Sequence, residues 1–282
     1  MGMWRCLALM LAMLSAPAPA QVFWSVTGDN GAQNWLLGTV HSDDPRLLEF
    51  PDALIEAIGE AERLTLELVP DAGLLERVER AMRYPEPRLE AVIGAQLHER
   101  VVGLLDEHYG VDEAAASRMR PWAAAMTLSL PPPETGLFMD LMLSMRAGAA
   151  GLEVFALETV EEQLGFFQEI EEAQQVALLR QAVEHYPALP EQTEALIGAY
   201  QSGDLDRLRA MARAQLEGLD ESIVSHFMQA GLAERNHRML ERAEPFLQEG
   251  GLIIAVGALH LSGEDGLLEL LRAAGYRVTA IY

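Results

Sequence analysis

Cysteine is almost absent from this 282-residue chain, whose one copy is Cys6. That residue lies in an apolar leader, so the chain without its leader has no thiol, which excludes disulfide staples and cysteine nucleophiles. Basic residues are scarce too, 20 against 43 acidic ones, for a formal net charge of −23. Such a field repels phosphate backbones and anionic headgroups, so nucleic acid is excluded as a natural partner, while divalent cations are drawn in. No apolar run reaches the roughly 20 residues that a membrane span needs. The signatures G-x-S-x-G, G-x-x-x-x-G-K-S/T and H-E-x-x-H are also missing, leaving a serine hydrolase, a P-loop enzyme or an ordinary zincin without support.

What is present begins with the leader. Arg5 gives a short basic start, residues 6–14 an apolar run, and residues 15–20 a small-residue stretch ending Ala18-Pro19-Ala20. This is the pattern of a signal peptide over residues 1–20, cut between Ala20 and Gln21, and it implies an exported protein, periplasmic or extracellular. Residues 21–282 are half hydrophobic like the whole chain, which excludes disorder and is enough for a sizeable core.

Two stretches near opposite ends of the chain repeat each other. Trp35-Leu36-Leu37-Gly38-Thr39-Val40-His41 and Ile253-Ile254-Ala255-Val256-Gly257-Ala258-Leu259-His260 are each an apolar run closed by Gly-x-x-His. A polar acidic loop, an amphipathic stretch, a glycine (Gly59; Gly275) and another strand-like run follow in both. Strands are expected over residues 22–26, 34–40, 63–69, 151–157 and 276–282, with helices over 51–60, 136–150 and 266–274. Residues 71–245 read as mostly helical, broken at Pro85, Gly110, Pro131-Pro132-Pro133, Pro187, Pro190 and Gly203. The fold expected is therefore α/β: one domain over 21–282 whose central mixed sheet is built from two strand-GxxH-helix-strand units, flanked by helices, with a large helical insertion over about 71–245.

Such units would set two imidazoles at the carboxyl ends of strands, where open α/β sheets carry their ligand sites. A glycine there permits a sharp turn or a close approach. A metal centre needs further donors, and the strand-end carboxylates Glu67 and Glu158 could supply them. Two histidines with one carboxylate suit Zn²⁺, Mn²⁺, Co²⁺ or Fe²⁺ in hydrolysis, the second carboxylate taking a proton. The residues alone leave a second reading open, in which the histidines bond backbone groups in turns and the glutamates cap helices. His98, His108, His185 and His237 sit in charged helical surroundings and read as surface residues, with His226 partly buried.

The run Trp35 to His41 resembles the opening motif of the TraB/GumN family, which includes the animal Tiki proteins and belongs with ChaN-like and erythromycin-esterase-like folds. The resemblance continues in order through Leu66-Glu67-Leu68, Met139-Asp140, Gly151, Leu157-Glu158-Thr159, Gln163, Glu234-Arg235-Asn236, Val256 to Gly263 and Gly275-Tyr276. It implies a metal-dependent protease preferring Mn²⁺ or Co²⁺, with His41, His260 and Glu67 as metal ligands and a peptide or protein as substrate. Glu158, Asp140 and Arg235 match further family positions: Glu158 as ligand or general base, Asp140 toward substrate, and Arg235 as a carboxylate-orienting or substrate-gripping fork or the partner of Asp140 or Glu158 in an ion pair. Phe138 departs from the family, which often has glycine there. The rival expectation is a non-catalytic envelope protein that sequesters a peptide or influences surface polysaccharide or pheromone traffic.

Overall fold

The first two apolar runs, joined by the turn at residues 28–31, form a hairpin. In the computed structural model, which describes residues 21–282 apart from residue 71, β1 (Phe23–Thr27) pairs antiparallel with β2 (Gln33–Thr39). The expected signal peptide lies outside the described residues. Gly31 closes the turn at φ +83°, a conformation that costs a Cβ-free residue nothing. Four more strands complete one mixed sheet: β3 (Arg63–Leu66), β4 (Glu153–Ala156), β5 (Leu252–Gly257) and β6 (Arg277–Ala280), in the order β4-β3-β5-β2-β1-β6. Strands β4, β3, β5 and β2 are mutually parallel, and β1 runs against both β2 and β6. β5 is the central strand; its run Leu252 to Val256 is wholly buried, as a parallel strand covered on both faces requires.

The repeated units meet at the middle of the sheet. β2 and β5 are hydrogen-bonded neighbours, with Gly38 opposite Val256 and Thr39 opposite Gly257. From there their connections diverge: β2 passes over β5 to reach β3, while β5 passes over β2 and β1 to reach β6. Right-handed crossovers in opposite directions put their helices on opposite faces. Accordingly the helix Asp52–Glu60 packs with the helix Met139–Ala150, and Leu267–Ala273 packs with Glu234–Glu249.

The stretch 71–245 is split in two, because β4 leaves it to join the sheet edge beside β3. Two apolar cores result. One surrounds the sheet; the other lies among the helices, built on Leu89, Leu105, Trp122, Leu128 and Leu179. His98 belongs to this second region and corrects the surface reading: it is buried, on the stripe it shares with Val101 and Leu105, and bonds the Ser117 hydroxyl at 3.1 Å. His108, His185 and His237 are exposed. Among the described residues no helix is long and apolar enough to cross a membrane.

Candidate active site

Four parallel strands end on one edge, and each delivers a singled-out residue just beyond its last pair. The register aligns Leu66 with both Ala255 and Ala156, and Thr39 with Gly257, so Glu67, Glu158, His260 and His41 follow on adjacent chains. The expected strand 63–69 stops at Leu66, which frees Glu67 to turn inward.

Arg235, on the first turn of the helix Glu234–Glu249, is the hub. Its Nε reaches both Glu158 oxygens at 2.9 and 3.0 Å, its Nη2 donates to Glu67 Oε2 at 2.6 Å, and its Nη1 donates to the Gly231 carbonyl at 3.3 Å. The fork is thus largely engaged inside the protein. Its ion-pair partners are Glu158 and Glu67; Asp140 bonds Thr39 instead, 3.0 Å from the hydroxyl. Glu158 has no exposed side-chain surface, and both its oxygens lie on the guanidinium. In this arrangement Glu158 is the counter-ion of Arg235. Burial works against the Arg235 charge, but bonds to Glu158 and the charge of Glu67 outweigh it and raise the pKa further.

Glu67 is engaged on both oxygens, with one lone pair left on Oε1. Oε2 also accepts from Gln163 at 2.8 Å, and Oε1 accepts the Gly257 N–H at 2.7 Å. Burial pushes its pKa up, but His260, Arg235 and the Gly257 N–H together pull it down to about 2. Glu67 is therefore a fixed anion at neutral pH.

His260 has one nitrogen assigned by its neighbours. Asn236 Nδ2 donates to the Asp265 carbonyl at 2.6 Å, an oxygen that can only accept, so the amide oxygen must be the atom that faces His260 Nδ1 at 2.6 Å. Nδ1 consequently carries the hydrogen, and the neutral ring presents a lone pair at Nε2, 3.7 Å from Glu67 Oε1. Burial lowers the pKa of His260 to about 4, although Glu67 pulls the other way. Two electron-pair donors thus face each other with no proton between them.

The motif glycines serve close approach rather than a turn, since neither has a positive φ. A Cβ on Gly38 would stand 3.1 Å from the Ala258 backbone, and one on Gly257 would stand 3.2 Å from Glu67 Oε1. Each repeat's glycine therefore makes room for a neighbouring strand end.

His41 occupies the matching position on β2 but not the matching surroundings. Its ring is stacked on Phe138, centroids 4.2 Å apart and planes 8° from parallel, with one side open to solvent. Crowding lowers its pKa while Glu67 raises it. The next loop is pinned by Asp43, whose Oδ2 accepts the N–H groups of Glu134, Thr135 and Gly136 at 2.7–3.0 Å and so sets the approach to Phe138. Asp140 is desolvated and lies in the field of Glu67, which together lift its pKa to about 6. The edge unites Glu67, Glu158 and Arg235 in one bonded cluster that His260 faces; His41 and Asp140 border it. Among the described residues no three or more His, Cys, Asp or Glu side chains are arranged to hold a metal ion.

Three contributors to this cluster carry no recognisable signal of their own. Gln163 and Asn236 are amides on helices, and Thr39 is the variable position of its motif; only the family resemblance touched the first two, without giving them a task.

The profile of the TraB/PrgY/gumN family matches residues 22–280. The chain belongs to this family. Relatives within reach of this TraB/PrgY/gumN chain include "Metalloprotease TIKI1" of Danio rerio, 24% identical over 307 residues covering 90% of the chain and 62% of that protein. An "Uncharacterized protein" of Treponema pallidum (strain Nichols) is 25% identical, covering 89% of the chain and 80% of that protein. "Metalloprotease TIKI2" of Danio rerio is 28% identical over 57% of the chain and 36% of its own length. The chain thus spans about three-fifths of the TIKI1 protein. No solved structure matches.

The donors present fit a cation in their chemistry. Nε2 of His260 and Oε1 of Glu67 are both acceptors at 3.7 Å, a spacing near that of two ligands sharing one ion at roughly 2.0–2.2 Å, and Asn236 supplies the outer-shell bond that orients a ligating imidazole.

Proposed function

We propose that this chain is an exported, metal-dependent hydrolase that acts on peptides or proteins. The observation that carries the reading is the facing pair of His260 Nε2 and Glu67 Oε1, held from behind by Asn236, Arg235, Gln163 and the Gly257 N–H. Membership in a family with relatives named metalloproteases supports the same reading. His260 and Glu67 would hold the ion, joined by His41 from the neighbouring strand end; Mn²⁺ or Co²⁺ is the choice that the resemblance favours, with Zn²⁺ or Fe²⁺ compatible with the same donors. A divalent ion bound there would acidify a water and polarise a carbonyl.

The protein's own groups have separable tasks. Arg235 fixes the Glu67 carboxylate and offsets its charge, and Glu158 holds Arg235 in place. Asn236 keeps the His260 lone pair directed at the cleft. Asp140, poised near pKa 6 and held by Thr39, is the carboxyl that can accept and return a proton near neutral pH. In this reading Asp140, rather than Glu158, takes up the acid-base task.

The test is elemental. Protein equilibrated with Mn²⁺ or Co²⁺ and then desalted should retain about one ion per chain and cleave a quenched peptide library. The double variant His41→Ala, His260→Ala should lose both. Equal metal content in the two proteins overturns the proposal, and metal retention without cleavage of any peptide removes its hydrolytic half.

A further inference from the structure

A cavity of about 360 Å³ lies between the second, helical core and the strand-end cluster, and its wall includes Arg235 and Leu259, the residue before His260. Its lining is largely aromatic and aliphatic, with Trp122, Phe166, Phe167 and Phe227 among the contributors. Trp122 is 2% exposed, and among the described residues its indole N–H has no hydrogen-bond partner.

The wall nearest the cluster is a π-helical turn, Gln229–Ala233, inserted just before Arg235. Such turns are uncommon and gather at functional sites. Here the insertion does two things: the Gly231 carbonyl accepts from Arg235, and the Gly231 Cα lies so near Phe166 that a Cβ would stand 3.3 Å from its ring. Cavity wall and cluster hub are therefore one piece of backbone. The remaining lining includes Gln192, Gln215 and His185, amide and imidazole groups that suit a peptide backbone entering the cavity rather than a hydrocarbon tail.

We propose that this cavity is the side-chain pocket of the candidate active site, taking a large aromatic or branched aliphatic residue of a peptide. The proposal rests on the peptidase reading for its substrate class, but not for its test. An apolar pocket of this size next to the reacting edge would make the preference for such a side chain over glycine about 100-fold or more.

Binding is read without metal and without turnover. In ligand-observed NMR on the full chain, N-acetyl-L-phenylalaninamide should show saturation transfer and N-acetylglycinamide should not. Ala182→Phe, which fills the pocket from the helix Glu172–His185, should abolish the phenylalanine signal, and Ala212→Phe does the same from another wall should the first variant not fold. In the library assay, either variant should erase the preference for large apolar residues. Equal binding of the two amides, unchanged binding in a folded filling variant, or binding of octanoate in place of the phenylalanine amide overturns the pocket. A protein that binds the amide through this cavity yet cleaves nothing keeps the pocket and loses the hydrolase.

Discussion

The two Gly-x-x-His units begin as near copies and end in opposite conditions. His260 is buried, tied through Asn236 to Asp265 and aimed at Glu67; His41 lies two residues beyond the neighbouring strand, half open, leaning on Phe138. The motif guarantees a position on the sheet edge, not an environment. Environment comes from what is packed behind each ring: a helix bearing Arg235 and Asn236 behind one, and a loop pinned by Asp43 behind the other.

The contrast breaks hardest at Glu158. Glu158→Ala leaves Arg235 buried with half its compensation, and we expect a loss of about 3–5 kcal/mol in urea denaturation; a loss under 1 kcal/mol would mean that the cluster is not the rigid partner it is described as. Next comes acidity. The His260 pKa in the folded chain, about 4, lies below its ordinary 6.5, so unfolding takes up a proton in that window and stability falls as pH drops from 6.5 to 4, by roughly 3 kcal/mol. Asp140 works in the reverse sense: raised to about 6, it adds stability on acidification below that pH. The contribution of His260 is therefore read as the difference between wild type and His260→Gln across pH 7 to 4, with its imidazole resonances confirming the low titration. An ordinary titration of His260 would erase the distinction between the two histidines.

Smaller effects sharpen the same contrast. Asn236→Leu should cost about 1–3 kcal/mol by stranding Nδ1 of His260 and the Asp265 carbonyl, and should let NMR detect the other tautomer. His41→Ala, whose ring is partly exposed, should change stability by less than about 0.5 kcal/mol while removing activity. Phe138→Gly keeps a permitted helix-cap residue, so it should cost only about 0.5–1.5 kcal/mol of stacking and leave His41 freer in relaxation measurements.

Much of this architecture could be read from residue order, because it is local. The apolar runs Phe23 to Thr27 and Gln33 to Thr39 with a turn between them, the apolar run of β5 and the glycines before each histidine announce a sheet whose strand ends carry histidines. The strand β4 was visible as a short glycine-bounded run, although nothing local told that it would pair with β3 and cut the helical stretch in two. Pairings across long separations were visible only as alternatives, Arg235 with Asp140 or Glu158 among them. Glu158 meets Arg235 77 residues away and Glu67 meets it 168 away, so a glutamate that looks like a base from its strand-end address becomes a counter-ion only when the helix arrives. His98 misled for the same reason in reverse: charged neighbours in sequence hid an apolar face in space.

The placement of β5 between β2 and β3 also sets an order of events during synthesis. The two flanking strands leave the ribosome nearly two hundred residues before the one that must hydrogen-bond them together. Until then their inner edges have no partner, and closing so long a loop makes for slow assembly exposed to mispairing. Nascent chains of this protein should accordingly depend on a holding chaperone until β5 emerges, and a chain arrested before Leu252 should be degraded rather than stored.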